Sequence, residues 1–139
     1  MSLSENKALV RQYYEDVVST GAVERVPEFI EPDYSELHEG ARHRIGIEGA
    51  RDHILGVRRT YPDLTLEVTR QIAEDDLVVS EVTMRGTHQG EWLVATPTGK
   101  VIRVTAVNVD RVRNGRIVEH GGAANLLEPL LRIGAIKVL

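Results

Sequence analysis

Five histidines, four tyrosines and no cysteine set the chemistry open to this 139-residue chain. Without cysteine there are no thiolate nucleophiles, disulfides or cysteine-bound zinc sites. Imidazole is the commonest general base, because its ordinary pKa of ~6.5 lies near working pH. His38 closes the run DYSELH, where the chain leaves a helix and enters a strand-like segment. It is a candidate base, against the plainer reading of a surface or capping histidine. Asn108 interrupts an apolar strand face formed by Ile102, Val104, Ala106 and Val112. A buried amide must find partners or cost ~1–3 kcal/mol, so Asn108 either belongs to a structural network or donates into a pocket, where it can stabilise an oxyanion at any pH. Tyr14 lies in the apolar stripe of a helix, as a phenolic donor or as a core tyrosine. His88 and His120 fall at strand ends. Trp92 suits either a pocket mouth or an oligomer contact.

Other chemistries are disfavoured. No HxH, HExxH or HxxxH spacing occurs, and His38, His43 and His53 are separated by loop residues, so no metal is expected. No glycine-rich phosphate loop follows a strand, and no cofactor is expected. Lys+Arg minus Asp+Glu is 17 − 21 = −4, which argues against broad electrostatic binding of nucleic acid. No apolar run approaches the ~18 residues of a membrane span, and Met1–Val10 lacks a signal-peptide core. These features, with the absence of cysteine, fit a reducing cytoplasm. Apolar residues at 42% and charged residues at 27% are ordinary for a globular protein, and one domain over 1–139 is expected.

The elements that must position these residues follow from hydrophobic period. Val10, Tyr13, Tyr14, Val17 and Val18 form one helical stripe, with Ser2 and Glu5 at capping-box spacing and Gly21 as a stop. A short second helix carries Pro27 in its first turn. A third covers Ile47 to Thr60 and is ended by Pro62, which disfavours helical geometry in Tyr61. From Asp63 the period becomes 2, and strands are expected over 64–69, Leu77–Thr87, Val101–Arg113 and Ile117–Gly121. Leu126 to Ile133 reads as a closing helical turn. Asn114-Gly115 between β-rich runs is the strongest hairpin signal, since a type I′ turn needs positive φ at both residues. The sum is an α+β fold: three N-terminal helices on a strongly curved antiparallel sheet, rolled into a cone with a central pocket. A strict two-residue turn pairs Val109 with His120 and puts His120 and Asn108 on opposite faces. A bulge brings both inward.

The segments NKALVRQYYEDVVSTGAVERVPEFIEPDYSELHEG, YPDL at 61–64, GTHQGEW at 86–92 and TGKVIRVTAVNVDRVRNGRIVEH at 98–120 resemble the SnoaL-like polyketide cyclases. These belong to the nuclear-transport-factor-like superfamily, which also holds ketosteroid isomerase. The resemblance implies cofactor-free acid–base chemistry on a hydrophobic, carbonyl-bearing small molecule: proton abstraction beside a carbonyl with enolate stabilisation. By position His38 resembles the isomerase base, Tyr14 its phenolic donor and Asn108 its second oxyanion-side group, while His120 matches the family's EH pair. Val82, Met84 and Ala106 are expected in the pocket wall, where methionine adapts to ligand shape, with His88, Trp92 and Asn125 also binding substrate. Pairing of two copies through the open sheet face is likewise implied, and Arg103, Thr105, Val107 and Val109 present a face apolar enough for it.

The departures from the family matter too. Its members continue the EH pair with a tryptophan and an acid, whereas this chain runs His120-Gly121-Gly122-Ala123-Ala124-Asn125. Neither Gly122 nor Asn125 can exchange a proton near neutral pH. Gly121 is expected to leave extra pocket volume where the indole would sit. A second reading therefore stands beside the enzyme: a non-catalytic small-molecule-binding or dimerisation module that has lost its acid. Convergence of Tyr14, His38 and Asn108 on one cavity separates the two.

Overall fold

The computed structural model describes residues 1–93 and 95–139. Helix α1 (Leu3–Gln12) starts as its capping residue dictates, with the Ser2 hydroxyl accepting from the Glu5 backbone N–H. It then widens into a π-helical turn over Tyr13–Val18. Tyr13, Tyr14 and Val17 are all buried there, so two consecutive tyrosines face the interior. Turns of this kind recur at functional sites because they re-aim side chains. A 3₁₀ segment, Val23–Glu28, contains Pro27, and helix α2 spans Gly46–Thr60, turning Ala50 and Ile54 inward.

Six strands form one sheet: β1 (Ile30–His38), β2 (Ala41–Arg44), β3 (Thr65–Glu74), β4 (Leu77–Thr87), β5 (Val101–Arg113) and β6 (Arg116–Asn125). Their order is β2-β1-β6-β5-β4-β3, and a short helix α3 (Leu127–Arg132) closes the chain. The meander β3–β6 is antiparallel as expected, but β1 pairs with β6 in parallel, so the sheet is mixed. The expected strand-like segment beyond His38 is the short β2, while residues 30–38 already form β1. Helices on the concave face of a curved sheet give the α+β architecture read from the sequence.

The register settles the hairpin question. Asn114 and Gly115 both have positive φ, 51° and 73°, as a type I′ turn demands. The pairs Arg113↔Arg116 and Val112↔Ile117 follow the strict turn; then a bulge intervenes and Arg111 pairs with Glu119. Asp110 therefore lies opposite His120, and Asn108 opposite Gly122. The extra residue on β6 turns His120 to the same face as Asn108 and Asp110. On that face the main core packs Val10, Tyr14, Val17, Val26, Val78 and Val82 together, while a second cluster gathers Tyr61, Leu64, Ile102, Val104 and Ile133.

Candidate active site

Between the helices and the sheet lies a cavity of about 210 Å³. Its apolar wall comes from the π-helical turn (Tyr13, Val18), from α2 (Ile54, Val57) and from Leu66 on β3; Tyr14, Tyr34, Glu36, His53, Asn108 and His120 add polar groups. Tyr14 and Asn108 thus share one cavity with His120, whereas His38, the third member of the expected convergence, does not line it.

The centre of the arrangement is a residue that the sequence reading passed over. Asp110 is 1% exposed and has two partners. Its Oδ1 lies 2.7 Å from His120 Nδ1, and its Oδ2 accepts a short hydrogen bond from the Tyr14 hydroxyl. Tyr14 OH is also 3.3 Å from His120 Nδ1, so the three groups form a closed triangle. Asp110 is a carboxylate on the neighbouring strand β5 that reaches the cavity-lining His120 and Tyr14, where β6 itself carries none at Gly122 or Asn125. A carboxylate held on Nδ1 fixes the imidazole tautomer and leaves Nε2 as the group that can take a proton. Burial alone disfavours the His120 imidazolium, but the charge of Asp110 and its hydrogen bond outweigh burial and hold the His120 pKa above its ordinary value. Burial, reinforced by the Asp110 charge, pushes the Tyr14 hydroxyl well above the usual phenol range. Tyr14 is therefore a donor, not a base.

A second carboxylate–imidazole group lies at the rim. Glu36, 4% exposed, receives a hydrogen bond from Tyr34 OH at 3.2 Å, faces His53 Nδ1 at 2.8 Å through the same oxygen, and faces His38 Nε2 at 3.1 Å through the other. Burial raises the Glu36 pKa, but the two histidines, His53 foremost, bring it below the ordinary carboxylate value. The Glu36 hydrogen bond raises the His53 pKa in return, against burial.

The remaining predicted residues fall elsewhere. The His38 side chain is 58% exposed and stands outside the cavity lining, beside the His43 ring. Strand alternation puts His38 on the same face as Glu36, but at the exposed end of β1 its ring reaches only the Glu36 Oε2 atom and not the cavity. Val82 is sealed in the main core. Met84 and Trp92 pack on the second cluster, and His88 is fully buried beside them with Nδ1 at 3.0 Å from Thr98 Oγ1. Ala106 is partly buried, and exposed Asn125 pairs with Thr105 at the far end of β6. None of these six lines the cavity. Gly121 pairs with Val109 on the opposite face, where a Cβ would meet Leu37 at 3.3 Å, so it adds no pocket volume. At Gly122 a Cβ would approach Asn108 Oδ1 to 2.6 Å and the Val107 carbonyl to 2.5 Å, so no acidic side chain fits there without rearrangement. Among the described residues, no group of three or more His, Cys, Asp or Glu is placed to hold a metal ion, and no helix is long and apolar enough to cross a membrane.

Comparison with known proteins agrees with this architecture. The sequence profile of SnoaL-like polyketide cyclases matches residues 8–132. No curated protein sequence matches the chain. Among solved structures, AclR from Streptomyces galilaeus, a candidate hydroxylase, is 28% identical and superposes with a TM-score of 0.85 over 98% of this chain and 100% of its own. IdmH from Streptomyces antibioticus, a candidate polyketide cyclase, is 28% identical with a TM-score of 0.79, covering 93% of this chain and 98% of its own. A candidate polyketide cyclase from Acidithiobacillus ferrooxidans, 22% identical, has the same fold, with a TM-score of 0.86 over 99% and 100% of the two chains. The extent of the profile match makes this chain a member of the SnoaL-like polyketide cyclase family.

Proposed function

We propose that the protein is an acid–base catalyst that removes a proton beside the carbonyl of a hydrophobic small molecule, the first step of a cyclase- or isomerase-type reaction. The observation that carries this reading is the buried Asp110 between His120 and Tyr14 at an apolar-walled cavity. In it, His120 Nε2 takes the α-proton, Asp110 fixes the tautomer and stabilises the imidazolium that forms, and Asn108 donates to the developing enolate oxygen. This moves the base from His38, the candidate of the sequence, to β6. Lack of an acid at Gly122 and Asn125 favours a binding module only if no other carboxylate serves the cavity; Glu36 lines it, and Asp110 acts on it through its hydrogen bonds with His120 and Tyr14. The role needs no cofactor. A further part of the proposal is that two copies pair through the outer sheet face, where Val107 and Val109 are 47% and 38% exposed. A monomer mass by light scattering at micromolar concentration contradicts that part.

The test uses 1-indanone, a flat bicyclic ketone, and follows loss of its α-proton NMR signal in D₂O. The wild type should exceed buffer, and His120→Gln should lower the enzymatic rate by ~10²–10⁴. Exchange at the buffer rate in wild type, or at the wild-type rate in His120→Gln, overturns the reading.

A further inference from the structure

The Asp110–His120 pair accounts for proton removal and leaves the Glu36 group at the rim without a role. An acid so nearly buried is costly unless it is partnered, and every partner of Glu36 is a proton donor: Tyr34, His53 and His38. Of the two histidines only His53 lines the cavity, and its Nδ1 is occupied by Glu36, which leaves Nε2 for another group. Glu36 and His120 are also register partners on the parallel strands β1 and β6, so the two pairs flank one space.

We propose that His53, held by Glu36, is a second catalytic residue: a general acid that protonates an oxygen leaving the substrate carbon β to the carbonyl. This rests on the assignment of His120 as base, and it extends the substrate class to β-hydroxy ketones. The step balances within the two pairs. His120 Nε2 takes the α-proton, the electron pair forms the C=C bond, the β C–O bond breaks, and the Nε2 proton of His53 goes to the departing hydroxyl, which leaves as water. Solvent then returns a proton to His53 and removes one from His120. Glu36 is the positioning residue. Its carboxylate keeps His53 protonated to higher pH than an isolated imidazole, as the raised His53 pKa shows; Glu36, His38 and His120 are the titratable groups that bear on it.

The test pairs two probes that differ by one hydroxyl. 1-Indanone needs only the base, whereas 3-hydroxy-1-indanone also needs the acid to eliminate water and form indenone, read by the absorbance of the conjugated product. His53→Asn should lower elimination by ~10²-fold or more and exchange by no more than about 5-fold. The side chain is 61% exposed and asparagine keeps an amide donor near the position of Nδ1 for Glu36, so the variant should keep its melting temperature. Glu36→Gln should lower elimination and move the alkaline limb of its pH profile down together with the NMR titration midpoint of His53, whereas a merely structural role would move the midpoint but not the profile. Wild-type elimination in His53→Asn, equal losses of both reactions, or an unmoved His53 midpoint or alkaline limb in Glu36→Gln overturns the assignment of His53 while leaving that of His120 intact. A wild type that performs neither reaction removes both.

Discussion

Asp110 and Glu36 each face an imidazole Nδ1, at 2.7 and 2.8 Å, but the two histidines sit in different surroundings: side-chain exposure is 28% for His120 and 61% for His53. Inside, the His120 imidazolium loses hydration that Asp110 chiefly, with the Glu36 charge, offsets, and the Asp110 carboxylate is itself tied to Tyr14. At the rim, water shares the work, and Glu36 divides its charge between two histidines. A buried pair has a fixed geometry and reaches solvent only through the cavity, while a half-wet pair exchanges protons with solvent directly. Depth, more than residue type, separates the proposed base from the proposed acid.

The largest expected contrast is in rate. His120→Gln should cost ~10²–10⁴ in α-proton exchange, far more than any rim substitution, measured by NMR with 1-indanone. Next comes Tyr14→Phe, which leaves a buried oxygen of Asp110 without its donor and should destabilise the fold by ~1.5–3 kcal/mol, read as a lowered urea midpoint. A loss below about 0.5 kcal/mol would mean that Asp110 finds another partner.

Both pairs should weaken as pH rises through the raised histidine values, and the Glu36 pair should also weaken at the acid end. His120 has a pKa raised above 6.5, so its stabilising contribution is complete below pH 6.5 and is lost as pH rises through the higher folded-state value. Glu36 has a pKa lowered from 4.5, so its contribution is complete above pH 4.5 and is lost as pH falls through the lower value. Urea unfolding of wild type against His120→Gln and against Glu36→Gln across pH 3–9 should show both differences shrinking on the alkaline side, and the Glu36→Gln difference also closing as pH falls through the lowered Glu36 value. A Glu36→Gln difference that persists undiminished to pH 3 would contradict the comparison. The smallest effect belongs to His38→Ala, expected to change exchange by less than about 3-fold because the side chain lies outside the cavity. A loss like that of His120→Gln would return the base to β1.

Much of this was legible in the chain. Period and turn chemistry gave α1, α2, the β3–β6 meander and the Asn114-Gly115 hairpin, because each depends on neighbours within a few residues. The bulge that brings His120 beside Asn108 was an open alternative, and the register decides it. Asp110 was overlooked although its position carries a signal: in the alternation that buries Ile102, Val104 and Val112, it is a second polar residue two places after Asn108. Strand β1 was hidden for a physical reason. Pro32 and Asp33 read as turn residues, and Tyr34, Ser35 and Glu36 are buried in succession, so period 2 is broken where the pairing with β6 shifts. No local pattern links Glu36 to His53 or Asp110 to Tyr14, since those contacts exist only once α2 and the π-helical turn cross the sheet.

The most direct test of the central claim, that Asp110 tunes His120 as the base, is the pH dependence of 1-indanone exchange in wild type and in Asp110→Asn at matched pD. The wild-type rate should rise with pD through a midpoint above that of an ordinary histidine, since only the neutral imidazole accepts a proton. In Asp110→Asn the midpoint should move down and the plateau should fall, because the amide neither stabilises the imidazolium nor enforces the tautomer. Identical midpoints and plateaus in the two proteins would contradict the account.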